Sequence, residues 1–226
     1  VFQNRDDLFL FLEKGWVGVE NSRLIPSSGV DTEKFTFVNR SLHDNAPVLV
    51  MLGRLLQQKG VPEFVEIARR IRKYWPKARF LWAGEEDPVH PDAVDAKWLQ
   101  DQKDIEYLGR LSNVVSILQQ ADLFLFPSSY REGVPRVILE AAATGLPTIA
   151  FDVPGVREAV KDGETGYLVP VKDLDAMQER VNSLIRDRDL RLKMGRAARE
   201  MVEESFDVRT IQEEYLKLYR ELGISV

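Results

Sequence analysis

The sequence predicts an α/β protein built on a parallel sheet, and three observations predict it. Short, continuous apolar runs recur along the chain, as expected of strands buried on both faces. Between them, apolar residues fall at helical spacing. Most of the strand runs end at a glycine or a proline, where the chain enters a polar loop. Such alternation implies right-handed crossovers, with ligands held beyond the C-terminal ends of the strands.

Each element can be justified in order. Phe2-Gln3-Asn4, then Asp6-Asp7 and the apolar stretch 8–12, read as a strand end, a cap and a short helix. Residues 25–31 (IPSSGVD) are turn chemistry. Residues 47–52 (PVLVML) form the first buried strand, followed by a polar loop over 53–60. Pro62 suits a first helical position, and Phe64, Ile67, Ala68 and Ile71 follow on one face. Strands are expected at 80–83, ending at Gly84, and at 105–108, ending at Gly109. A helix over 114–120 takes Ser112 or Asn113 as its cap. A strand at 123–126 stops at Pro127, and a helix over 136–144 closes on Gly145. A strand at 148–151, a short helix at 156–160 and a last strand at 168–169 complete the sheet. The tail is helical over 174–186, 190–205 and 208–222. Phe64, Trp75, Trp82 and Trp98 are expected to be core or half-core aromatics.

Composition removes several functions. Among 226 residues, 31 Lys and Arg face 36 Asp and Glu, for a net charge of −5. That argues against coating nucleic acid, which needs a basic face. An anionic ligand must instead be held by a few placed cations and backbone dipoles. The chain has no cysteine, so disulfides, thiolate nucleophiles and Cys-ligated zinc are excluded. The two histidines, His43 and His90, are far apart, which removes a multi-His metal site; each is expected in an ordinary surface role. No apolar run approaches the ~20 residues of a membrane-spanning helix. The chain opens on Val1 without a signal pattern, so a cytoplasmic piece of a longer protein is expected.

Two strand-end loops carry candidate chemistry. The first, 53–60, brackets Arg54 and Lys59 between Gly53 and Gly60. A glycine lets backbone approach a ligand, and the cations suit phosphate oxygens. The loop matches neither common phosphate-binding motif, and taken alone it is better explained as a solvated loop with two ordinary surface cations. The second, 127–135, carries Glu132 and Gly133 and leads into the helix containing Glu140. A helix start favours an anion there. The two carboxylates could line one cleft and accept hydrogen bonds from sugar hydroxyls; they could also be ordinary helix charges.

The ordered set G-R…K-G, E-G-V-P-R-V-I-L-E-A-A-A-T-G-L-P, D-V-P-G-V-R-E-A-V and D-G-E-T-G-Y-L-V-P resembles the C-terminal domain of GT-B glycosyltransferases of the GT4 type, over about 25–206. The resemblance implies a Rossmann-like three-layer sheet and a retaining hexosyltransferase using a nucleotide-sugar, UDP-sugar by default. It implies that Arg54 and Lys59 hold the donor diphosphate and stabilise the leaving nucleotide. Glu132 would meet the transferred sugar. Gly133 and Val134 would offer backbone to the phosphate, and Glu140 would hold the ribose. Gly109, Arg110 and Leu111 would meet the base, while Gly53 and Gly84 line the same cleft. No metal and no cofactor is expected. Residues 1–24 would be the end of an N-terminal domain with its linker, 25–206 the donor-binding domain and 207–226 a C-terminal helix. The glycan or lipid-linked acceptor would be read by the N-terminal half, with membrane association only in the full-length enzyme. The fragment alone would bind donor without transferring it.

Other readings compete. One is a non-catalytic nucleotide-sugar-binding module completed by a separate chain. Another is a glycoside hydrolase using Glu132 and Glu140. A nicotinamide oxidoreductase lacks its G-x-G-x-x-G. Asp187-Arg188-Asp189 imitates a D-x-D metal motif but falls between tail helices, where caps are expected, as does Asp173-Leu174-Asp175. Glu85-Glu86-Asp87 reads as a solvated acidic loop, and Asn39-Arg40-Ser41 as an unused glycosylation sequon.

Overall fold

A computed structural model describes residues 1–39 and 46–225. His43, and the sequon beyond Asn39, therefore lie outside the described residues. Among those residues, six strands form one parallel sheet: β1 (Val48–Leu52), β2 (Arg79–Ala83), β3 (Glu106–Tyr107), β4 (Leu123–Phe126), β5 (Thr148–Phe151) and β6 (Gly166–Val169). Their order is β3-β2-β1-β4-β5-β6. The chain thus winds outward in opposite directions from the β1–β4 pair. Right-handed crossovers then put helices on both faces and open a crevice between the loops leaving β1 and β4.

The helices follow from the sequence pattern. They are α1 (Arg5–Glu13), α2 (Val61–Arg72), α3 (Ala96–Gln100), α4 (Val115–Gln120), α5 (Arg136–Ala143), α6 (Val156–Ala159), α7 (Leu174–Arg186), α8 (Arg188–Ser205) and α9 (Val208–Glu221). Helix α2 packs on α7, and α5 on α8. Phe64 of α2 meets Phe80 and Trp82 edge-on, with centroids 5.7 and 5.2 Å apart. The tail aspartates are caps: Asp173 accepts from the Ala176 amide, Asp187 from Leu190 and Asp207 from Arg209.

Five expectations need correction. Helix α3 was not expected; Asp95 starts it by accepting from the amides of Lys97 and Trp98. Trp98 on it is 43% exposed, so it is no core aromatic. The 53–60 loop is not simply polar, because Leu55 and Leu56 are buried and Leu56 bridges Ala93. Strand β3 is only two residues long, while β6 starts earlier, at Gly166. Trp75 is half-buried and Trp82 fully buried, as expected.

The chain crosses itself at one stitched joint. The Val30 amide donates to the Phe206 carbonyl (2.8 Å), and the Val208 amide to the Val30 carbonyl (3.0 Å). The Thr32 hydroxyl donates to the Asp207 carboxylate. The Arg209 guanidinium, with help from that hydroxyl, holds the Asp207 carboxyl far below the usual carboxylate range. Nearby, Arg199 donates to the carbonyls of Phe35 and Ala143, both at 2.7 Å, and so ties this linker to the end of α5.

Candidate functional site

The loops leaving β1, β2 and β3 are fixed before any ligand arrives. The Gly53 amide donates to the Ala83 carbonyl, and the Gly84 amide to the Gly109 carbonyl. Two aromatic side chains brace the same backbone. The Trp82 indole donates to the Gly53 carbonyl, and the Tyr107 hydroxyl to the Gly84 carbonyl, each at 2.9 Å. Gly84 is required for space: a Cβ there would come within 1.8 Å of the Gly53 carbonyl oxygen. The 85–95 segment then folds back along 53–58, with amide–carbonyl bonds from Leu55 to Glu85, Gln57 to Asp92 and Val94 to Leu55.

An open cleft of about 230 Å³ lies at this edge. Gly53, Arg54, Gly84, Arg110, Leu111 and Glu140 line it together. Glu140 reaches it from α5 with its side chain only 13% exposed. Burial raises the Glu140 carboxyl above the ordinary glutamate value, and the charges of Arg136 and Lys34 partly oppose that. The Arg136 Nε lies 3.3 Å away. The mouth cations are already engaged: Arg54 with Asp87 at 2.6 Å, and Arg110 with Glu85 at 3.1 Å. The 85–87 stretch is therefore more than a solvated acidic loop, since two of its carboxylates hold the mouth cations.

Lys59, Glu132 and Gly133 gather beside one another rather than in the cleft lining. Lys59 is ion-paired to Glu132, and its ammonium lies 5.0 Å from the centre of the Tyr130 ring. The Gln58 carbonyl accepts from the Ser129 amide (2.9 Å) and the Ser128 hydroxyl (3.2 Å), which zips the β1 and β4 loops together. Beneath, a Cβ on Gly155, whose φ is +81°, would meet the Gly133 carbonyl oxygen at 1.5 Å. Val134 buries its side chain, leaving only backbone for a ligand. Gly109 is not in the lining; its carbonyl supports Gly84 from behind.

The first residues of the chain also reach this site, which sequence reasoning did not anticipate. Arg131 holds Asp7, Arg157 holds Asp6, and the Arg5 amide donates to Glu158. Their contact could not be inferred from spacing, because the partners are 124 to 153 residues apart. The braces Trp82 and Tyr107 were also missed; both read as plain strand aromatics. Among the described residues, no three acidic or histidine side chains gather as a metal site, and no helix is long and apolar enough to cross a membrane. His90 accepts from the Asp92 amide, a local turn contact.

The chain is similar to known proteins throughout this region. The model of the family "Glycosyl transferases group 1" matches residues 33–201. An N,N'-diacetylbacillosaminyl-diphospho-undecaprenol alpha-1,3-N-acetylgalactosaminyltransferase of Campylobacter jejuni is 33% identical over 90% of this chain and 52% of its own length. The chain thus spans about half the length of this relative. The sucrose-phosphate synthase structure from Thermosynechococcus elongatus superposes with TM-score 0.83 at 26% identity, over 99% of this chain and 58% of that one. The Anabaena Alr3699/HepE structure, in complex with UDP and glucose, superposes with TM-score 0.84 at 20% identity, over 97% and 62%. With a matching family model, a Rossmann-like parallel sheet and a cleft at its switch point, the chain belongs to the group 1 glycosyl transferases as a C-terminal domain of the GT-B fold.

Proposed function

We propose that this chain is the donor-binding half of a retaining, GT4-type hexosyltransferase that uses a nucleotide-sugar, UDP-sugar by preference. One observation carries the reading: Arg54, Arg110 and Glu140 converge on a single cleft at the switch point of a parallel sheet. Glu140 accepts the ribose hydroxyls, as a carboxylate held among apolar neighbours can. Arg54 and Lys59 meet the diphosphate and stabilise the charge that develops on it as the sugar departs. Glu132 and the backbone of Gly133 and Val134 hold the glycosyl and phosphate groups, and Arg110 and Leu111 the base, with Gly109 supporting Gly84 behind them. In the transfer step, the bond from the anomeric carbon to the diphosphate oxygen breaks on the face where the acceptor oxygen attacks. The acceptor's proton passes to that departing oxygen.

Residues 1–24 belong with an N-terminal acceptor domain, 25–206 with the donor domain, and 207–226 with a crossing helix. A glycan or lipid-linked acceptor fits the undecaprenol-linked substrate in the name of the Campylobacter relative. Transfer requires that other half, proceeds without a bound metal, and takes place in the cytoplasm or at the inner membrane face.

Calorimetric titration with UDP, GDP and ADP tests the reading. Saturable binding of one nucleotide is expected, weakened about 10- to 100-fold by Arg54→Ala and by Glu140→Ala. Absence of binding to all three rejects it.

A further inference from the structure

We propose that Gln3 is a further ligand of the donor and contacts the hydroxyls of its glycosyl group; this rests on the donor-site reading above. The Gln3 carboxamide lies against Gly133. A Cβ on Gly133 would come within 2.3 Å of the Gln3 Oε1. The Gly133 backbone is not in the left-handed region, so glycine serves there to make room.

Gln3 is held in place from both sides. On one side, Phe2 bridges Leu24, with the Phe2 amide donating to the Arg23 carbonyl and the Ile25 amide to the Phe2 carbonyl. On the other, Asn4 is fully buried and caps α1 by accepting from the Asp7 amide. Asp7 and Asp6 are in turn held by Arg131 and Arg157. The two anchors fix the backbone at Gln3, so a ligand has only the side chain left to order.

The chemistry is complementary. Glu132 only accepts hydrogen bonds and Lys59 only donates them, whereas a sugar hydroxyl does both. The Gln3 carboxamide supplies one acceptor and two donors beside that pair. It is exposed, and among the described residues it has no hydrogen-bond partner. The Arg131–Asp7 clamp runs from the residue next to Glu132, so the loop that presents the carboxylate also fixes the segment that presents the amide.

The test compares the nucleotide that binds with its glucose, galactose and N-acetylhexosamine esters. The readout is the Kd of the bare nucleotide divided by that of the best sugar ester. Gln3→Ala is expected to lower this ratio about 3- to 10-fold, the share of one or two neutral hydrogen bonds. Gly133→Ala should lower it similarly, because its methyl takes the carboxamide's place. The double variant should lose no more than either single change. Gln3 is exposed, so the thermal midpoint of Gln3→Ala should match that of the unaltered chain. A ratio unchanged by Gln3→Ala overturns the proposal, as does a ratio of one for every sugar in the unaltered chain. If no nucleotide binds at all, the donor-site reading falls first and takes this one with it.

Discussion

The cleft mouth and the Lys59–Glu132 corner hold their charges in different ways. At the mouth, Arg54–Asp87 and Arg110–Glu85 are ion pairs with at least one partner well exposed; the Arg110 side chain is 79% exposed. In the corner, both partners are enclosed, at 16% and 15%. Exposed pairs contribute about 0–1 kcal/mol, since water screens them and long side chains lose freedom to form them. An enclosed pair is costly to break, because the surviving charge is left desolvated and alone. The mouth can therefore exchange its carboxylates for a ligand's phosphates at little cost. The corner resists change and serves as a fixed wall.

The sharpest way to break this contrast is to remove one corner charge. Lys59→Ala should destabilise the fold by about 2–3 kcal/mol, somewhat below the cost for a fully buried pair. Adding Glu132→Ala should recover most of that loss. Urea unfolding of the single and double variants checks both.

A smaller effect comes from Glu140, whose burial raises its carboxyl above the ordinary value. Nucleotide affinity should be flat at neutral pH and weaken as pH falls through that raised value, before an ordinary glutamate would titrate. The linked stability runs the other way: the fold favours the protonated form, so stability rises as pH falls through the folded value towards the unfolded one. Glu140→Gln should remove both limbs. Parallel calorimetry and thermal melts across a pH series would show whether the two curves move oppositely.

The smallest effect is expected at the mouth. Asp87→Asn should change stability by no more than about 0.5 kcal/mol and tighten nucleotide binding about two- to fivefold by releasing Arg54. A stability loss comparable to that of Lys59→Ala would erase the distinction between mouth and corner.

Much of this architecture was legible because local signals agreed with the fold. The runs at 123–126 and 148–151 are buried on both faces and bounded by sharp stops, so their limits read directly from the sequence. Arg54 was legible because it follows a strand at the sheet's C-terminal edge, and Glu140 because it lies in the helix after the 127–135 loop; Arg110 was singled out by the family resemblance. Helix α3 was not, since five residues with one outward tryptophan give no apolar face; the Asp95 cap was its only signal. Leu55 joins the core and Leu56 bridges Ala93 in the 85–95 segment, and no local pattern announces either. The Trp82 and Tyr107 braces likewise depend on which strands become neighbours. Gln3 lies against Gly133 through contacts far apart in sequence, the Phe2–Leu24 bridge on one side and the Arg131–Asp7 and Arg157–Asp6 pairs on the other.

The pairing of Arg54 and Arg110 with carboxylates also has a kinetic consequence. A bare cationic cleft speeds the approach of any anion, and its association rate falls steeply as ionic strength rises. Here each cation is matched by an acid, in a chain of net charge −5, so little long-range field reaches a ligand in solution. Encounter is then governed by diffusion and fit, with a shallow dependence on salt. Small inorganic anions gain little from displacing one carboxylate, whereas a larger ligand gains all its contacts at once. The mouth thereby selects for size and shape before charge.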